Sequence, residues 1–351
     1  MDSSYMAYVG SYSYNGTARG ITVYDADAKR GRFQKRCEVD VNNSAYLLAS
    51  RTKKTLYSIA DEGVVAFRIL EDGNLSLLNT RNIKGMRGCH LATDPDEKYL
   101  FVSGYHDGKA TILKLQADGS VGPILAGVFH KGLGSVAERN FSPHVTCIRL
   151  SPDGKFIMAA DEGIDQIKVY RHPKDTDGMM LADSIHFELE SAPRMFRFSD
   201  DGRYMYLMYQ LKNIIEVYTY ESGDRVPKLE KIQTIPTTDF DVPNSLRAAC
   251  TFRFSADQHY LYCSSAGEDT VSVFSRDKKT GMLELLICLP ISGEYPKDLC
   301  VFPDAQHIAS INHESNTITF FAVDYERGLL IMNGNPEPVN EPNCCALVKL
   351  G

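Results

Sequence analysis

The strongest constraint on the fold is a short text written seven times along the chain. A tight acidic turn followed by an apolar strand occurs as DPDEKYLFV from Asp94, SPDGKFIMA from Ser151, SDDGRYMYL from Ser199, SADQHYLYC from Ser255 and FPDAQHIAS from Phe302. A worn copy, SRTKKTLYS, starts at Ser50, and YMAYVGSY near the N-terminus supplies the strand of another. The matched positions Tyr8, Tyr57, Phe101, Met158, Tyr206, Tyr262 and Ala309 recur 44 to 57 residues apart. In SPDG and SDDG, Ser or Asp accepts backbone N–H groups and Gly tolerates positive φ, which is turn chemistry.

Each copy reads strand, turn, strand, turn, strand, with a looser fourth strand behind. Around SAPRMFRFSDDGRYMYLMYQLKNIIEVYTY, strands rich in Tyr, Ile, Val and Phe are expected over 194–198, 204–210 and 214–220. Four strands per ~40–50 residues is the period of a propeller blade. The chain is therefore expected to be all-β, a seven-bladed β-propeller with four antiparallel strands per blade. The N-terminal strand should join the last blade near CCALVKL and close the ring, removing the edge that an open array exposes. The segments RHPKDTDGM and TTDFDVPNS read as loops between strands, so residues 1–351 are expected to form one domain.

The stretches YVGSY, CHLATDPDEKYLFVSGYHDGKATILKL, APRMFRFSDDGRYMYL and DEGIDQIKVY resemble the lactonase-type seven-bladed propellers. This is the family of cytosolic 6-phosphogluconolactonase and the carboxymuconate-cyclising enzyme, and the similarity covers essentially the whole chain. It implies a catalytic set of a histidine in the fourth blade, an arginine and a glutamate in the fifth, and an arginine in the sixth. On this chain the histidine falls at Thr146, with His144 two residues earlier, and the fifth-blade arginine is Arg194. The glutamate position holds Gln210, the sixth-blade arginine position holds Ala266, and a seventh-blade arginine becomes Lys297 in YPKDL. The family's usual constellation is thus incomplete.

Hairpin geometry offers a replacement. First strands begin, and second strands end, at one face of a propeller, so residues five before and eleven after the turn share an opening. The first set is Ala45, Cys89, Thr146, Arg194, Cys250 and Lys297. The second is Asp61, Tyr105, Glu162, Gln210, Ala266 and His313, with Tyr12 from the N-terminal copy. Glu162 or His313 can serve as a base, with His144 as partner, the usual parts for proton transfer. Arg194 and Lys297 suit a carboxylate or a developing oxyanion, Arg as a fork and Lys as a point charge. Gln210, Tyr105, Tyr12, Thr146 and His90 are the expected substrate contacts. Each position also has an ordinary use: an arginine can satisfy carbonyls between blades, and a buried histidine can simply bond the backbone.

Composition narrows the partners. A formal charge of −7 without basic runs argues against nucleic acid. No apolar run reaches the ~18–20 residues that span a bilayer. The start lacks the basic-then-apolar order of a secretion signal, and nine cysteines without a CxxC pair suit a reducing cytoplasm. GLGSVA fits a dinucleotide fingerprint loosely but lacks the strand–helix setting, so no cofactor is expected, and no ligand spacing calls for a metal. The expected partner is a small anionic or sugar-derived ring compound. Its reaction would be lactone hydrolysis or a related cycloisomerisation or elimination. The alternative is a non-catalytic propeller, binding small molecules or serving interactions, that has lost the lactonase chemistry.

Overall fold

The computed structural model describes residues 4–135, 140–173, 178–241 and 243–350. Residues 136 and 137 of GLGSVA, 174–177 of RHPKDTDGM and 242 of TTDFDVPNS lie outside them. The chain is an all-β, seven-bladed propeller with four antiparallel strands per blade, and its described residues hold one short 3-10 turn, Asn244–Leu246. The inner strands of blades two to seven are Leu47–Ala49, His90–Thr93, Val145–Leu150, Pro193–Phe198, Ala248–Phe254 and Pro296–Val301. Blade five runs Pro193–Phe198, Tyr204–Tyr209, Ile214–Glu221 and Lys228–Pro236, within a residue or so of the expected bounds. Among the described residues no helix is long and apolar enough to cross a membrane.

The ring closes, as expected, by pairing of the N- and C-terminal strands at CCALVKL, and it does so in the first blade rather than the last: the C-terminal strand Pro342–Leu350 is the inner strand of blade one. It pairs antiparallel with Ser4–Ser11, which pairs in turn with Gly20–Asp27.

The repeated turn is built from one hydrogen-bond pattern. Ser151, Ser199 and Ser255 each accept, on Oγ, the N–H five residues later, at 3.0 Å. The same hydroxyls donate to Asp153, Asp201 and Asp257 at 2.5–2.6 Å. The fourth turn position is left-handed in every one of these copies, whether Gly154 (φ 70°), Gly202 (φ 71°) or Gln258 (φ 56°). Glycine takes that conformation freely, whereas a side chain there adds strain that the turn's bonds must hold.

The chain forms two compact units. One comprises Met1–Ala49, Ile69–Ser76 and Pro236–Gly351, and the other Ser50–Arg68 and Leu77–Ile235. In each, apolar faces of successive blades interlock. In the first unit, Phe33 of blade one meets Phe302 and Phe320 of blade seven at ring distances of 5.4 and 5.2 Å. In the second, Phe101 and Ile112 of blade three share a buried cluster with Ile148 and Ile157 of blade four. Burying one such side chain stabilises by roughly 1.5–3 kcal/mol.

The matched tyrosines add a polar link between successive blades. Tyr8 donates to the Gly73 carbonyl at 2.7 Å, and Tyr57 to that of Gly119 at 2.9 Å, both from fully buried rings. Tyr57→Phe removes the donor and leaves the Gly119 carbonyl short of a partner. A loss of about 1–2 kcal/mol is expected, seen as a lower urea midpoint at unchanged slope.

Candidate active site

The rim positions share a feature that spacing alone does not reveal. In blade four the register jumps from Val145↔Asp161 to Cys147↔Ala160, so Thr146 has no opposite residue. The same one-residue excess falls on Arg194 in blade five, Cys250 in blade six and Lys297 in blade seven. In blade one it falls on Asn343 of the closing strand. These are β-bulges, which take a residue out of the ladder and re-aim its side chain. Arg194, Lys297 and Asn343 each follow a proline, which suits a strand start because it has no N–H to donate. The residues before those prolines are left-handed without being glycine: Ala192 (φ 53°), Tyr295 (φ 55°) and Glu341 (φ 43°).

In the unit containing blades three to five, Arg194 is the organising charge. Its Nη1 donates to Gln210 Oε1 and lies 3.4 Å from Glu162 Oε2. The guanidinium is partly exposed at 26%, whereas the Glu162 side chain is only 1% exposed. A carboxylate therefore stands beside the arginine although position 210 holds an amide; it arrives from blade four. Cys89 feels the same two charges, and burial pushes its thiol up to about 12, so it stays protonated at neutral pH.

His144 lies just ahead of the strand Val145–Leu150 and stacks on Tyr105, with ring centres 4.3 Å apart and planes 9° from parallel. Its Nδ1 is 2.7 Å from the Tyr105 carbonyl oxygen. A carbonyl only accepts, so Nδ1 carries the hydrogen and Nε2 keeps its lone pair while the ring is neutral. Its backbone is held from both sides. The His144 N–H donates to Asp161 Oδ1 at 2.7 Å, and the Glu162 N–H donates to the His144 carbonyl at 3.0 Å. Asp161 Oδ2 meets His130 Nδ1 at 2.7 Å, both side chains being fully buried. Burial pushes the His130 ring below the ordinary histidine range, so it is neutral at pH 7. This hairpin end closes because residue 163 is glycine: a Cβ there would fall 1.7 Å from the Ser142 carbonyl oxygen.

In the unit containing blades six, seven and one, a second group of the expected residues comes together. Lys297 Nζ donates to Asn343 Oδ1 at 2.6 Å and sits 4.5 Å from the Tyr12 ring centre. His313 packs edge-on to Tyr12 and Tyr295, both at 5.7 Å, and its Nδ1 bonds the Pro342 carbonyl at 3.0 Å. Its Nε2 lone pair is thereby left for other partners, as in His144. Burial, and next the positive charge of Lys297, hold His313 below its usual value.

Two further expected contacts are buried. His90 is 1% exposed and its Nε2 accepts from Arg149 Nη2 at 3.4 Å, a link within the blade packing. Thr146 is buried, and its hydroxyl finds no partner among the described residues. Sequence spacing does not single out Asn343, because the inner strand of the N-terminal blade comes from the far end of the chain. The signal available was the Pro–polar pair of Pro342–Asn343, which repeats Pro193–Arg194 and Pro296–Lys297. Among the described residues no group of three or more potential metal ligands occurs.

Removing Lys297 relieves one of the two influences that keep His313 neutral. In Lys297→Met the His313 titration, followed by NMR of its ring proton, should move upward toward the ordinary value near 6.5. A titration that stays put or falls would contradict this electrostatic assignment.

Comparison with known proteins gives a consistent result. The family model described as lactonase, 7-bladed beta-propeller, matches residues 6–347. The 6-phosphogluconolactonase of Bacillus subtilis is 26% identical over 97% of this chain and 98% of its own length. A Bacteroides fragilis protein solved as a candidate 6-phosphogluconolactonase is 28% identical, with a TM-score of 0.88 over 99% of this chain and 98% of that one. The periplasmic gluconolactonase of Pseudomonas aeruginosa, 24% identical, shares the fold with a TM-score of 0.90 over 99% of this chain and all of that one. On the family match, which covers nearly its whole length, the chain belongs to the seven-bladed β-propeller lactonase family.

Proposed function

We propose that this protein hydrolyses the lactone of a polyhydroxylated sugar acid, using the group around Arg194 and His144, within a single propeller domain. The observation that carries this is the His144 ring: with Nδ1 committed to the Tyr105 carbonyl, Nε2 can take a proton from an attacking water. Attack on the lactone carbonyl places negative charge on its oxygen. Arg194, steadied by Gln210 and Glu162, is the group suited to stabilise it. His144 can then return the proton to the ring oxygen as the C–O bond breaks, leaving the open-chain acid.

Glu162 balances the charge of Arg194, so this group as a whole favours a neutral, hydroxyl-rich ring over a dianion. Within the other unit, Lys297, His313 and Tyr12 form a separate group that carries a cation of its own. The names of the Bacillus and Bacteroides relatives point to phosphorylated sugar-acid lactones as the compounds to try first, with their unphosphorylated forms beside them. Cycloisomerisation or elimination would need the same base and the same charge stabilisation, and product analysis separates them from hydrolysis.

A propeller that binds such molecules without turning them over is the second possibility. It is favoured by Thr146, Gln210 and Ala266 standing where the family's ionisable groups are expected. Acid release should be followed in a pH-stat over a panel of aldonolactones and their phosphate esters. Arg194→Ala should lower kcat/KM about 10²–10³-fold, the usual effect of losing an oxyanion donor. His144→Gln should cost about 10²–10⁴-fold, and His313→Gln less than tenfold. Thermal stabilisation by a lactone with no acid released would favour the binder.

A further inference from the structure

We propose that Asp165 is a positioning residue that sets the aim of Arg194. This rests on the assignment of Arg194 as the charge-stabilising group. Asp165 lies in the turn between the second and third strands of blade four and is 1% exposed. It takes three successive backbone N–H groups from the segment entering blade five. Glu190 N–H donates to Oδ2 at 2.9 Å, and Ser191 and Ala192 donate to Oδ1 at 3.1 and 2.8 Å. The Ser191 hydroxyl and Asn140 Nδ2 add further bonds to Oδ1, each at 3.1 Å.

A run of N–H groups converging on one anion is a nest, and here the anion is a side chain of the preceding blade. Its conformation is costly, since Glu190 (φ 62°) and Ala192 (φ 53°) are both left-handed and Ala192 directly precedes Pro193. Charge-assisted bonds to Asp165 offset that strain. On the other side the Ala192 carbonyl accepts the Gln210 N–H at 2.8 Å. Ala192 is thus clamped at both ends, and Arg194, two residues on, leaves the ladder from a fixed point.

The same device recurs at the other two proline-led bulges. Asp269 Oδ1 accepts the Tyr295 N–H at 2.8 Å ahead of Pro296–Lys297. Asn316 Oδ1 accepts the Glu341 N–H at 2.7 Å ahead of Pro342–Asn343. In every case the gripping residue is itself left-handed, at φ 52°, 52° and 55° for Asp165, Asp269 and Asn316. In each case the gripped residue precedes the proline and the bulge follows it. The recurrence ties the clasp to the bulged side chain rather than to one local loop. Asn316 also shows that an amide oxygen can serve, so Asp165→Asn is the more conservative replacement: it gives up the carboxylate charge and the bond from Glu190 but keeps an oxygen for the remaining donors.

The test compares Asp165→Ala with Asp165→Asn. In lactone turnover per folded molecule, Asp165→Ala should lower kcat about 10²-fold, while Asp165→Asn should stay within about tenfold of the parent. The double variant Asp165→Ala with Arg194→Ala should be no slower than Arg194→Ala alone, since the aspartate acts through the arginine. A further additive loss in the double variant would overturn the proposal. A second readout needs no turnover and no alanine variant. The Arg194 Nε–H cross-peak, identified as the one missing from Arg194→Lys, should shift in Asp165→Ser and lie nearer its parent position in Asp165→Asn. An unmoved cross-peak in Asp165→Ser would also overturn it. Should Arg194→Ala leave turnover unchanged, the functional assignment of Arg194 falls while the cross-peak still decides the clasp.

Discussion

Backbone pairing between the two ends of the chain is the interaction on which the rest depends. Pro342–Leu350 lies against Ser4–Ser11, turning a three-stranded N-terminal segment into a complete blade. Without it, Ser4–Ser11 would present an unpaired row of N–H and C=O groups, and Cys345 would leave the buried cluster that holds Phe33, Phe302 and Phe320. The closing strand also carries Asn343, whose amide oxygen receives the Lys297 ammonium. Fold closure and the polar rim of that unit thus rest on the same nine residues.

The Arg194 group rests on a different balance. Arg194 is a cation near solvent and Glu162 a carboxylate almost wholly removed from it. Burying an unpaired carboxylate is expensive, so the arginine is drawn toward it, and Gln210 completes the grip from its own blade. The result is a guanidinium held between a carboxylate and an amide. His144 is fixed by other means, a stacked ring and a carbonyl. Neither device occupies a regular strand position.

Much of this was legible in the residue order. The turn text, its near-constant spacing and the matched tyrosines point to blades, because the recurring hydrogen-bond pattern favours Ser or Asp first, Phe302 excepted, and tolerance of positive φ fourth. Arg194, Glu162 and Gln210 were drawn together by counting from those turns, and so were Lys297, His313 and Tyr12. The bulges were not legible, since a one-residue excess on a strand leaves no period to detect. Nor was the burial of His90, whose environment depends on Arg149 of the next blade, 59 residues away in sequence. Asn343 escaped because its strand is paired with residues more than 300 positions earlier.

The bulged slot is occupied by threonine, arginine, cysteine, lysine and asparagine in five blades of one molecule. A residue outside the ladder contributes no cross-strand pair, so its volume and charge are nearly independent of the sheet that carries it. Such slots can be rewritten one at a time without renegotiating the scaffold. Specificity in this architecture is therefore modular, and a new preference could be installed by exchanging side chains at slots like these while the hydrogen-bonded frame stays as it is.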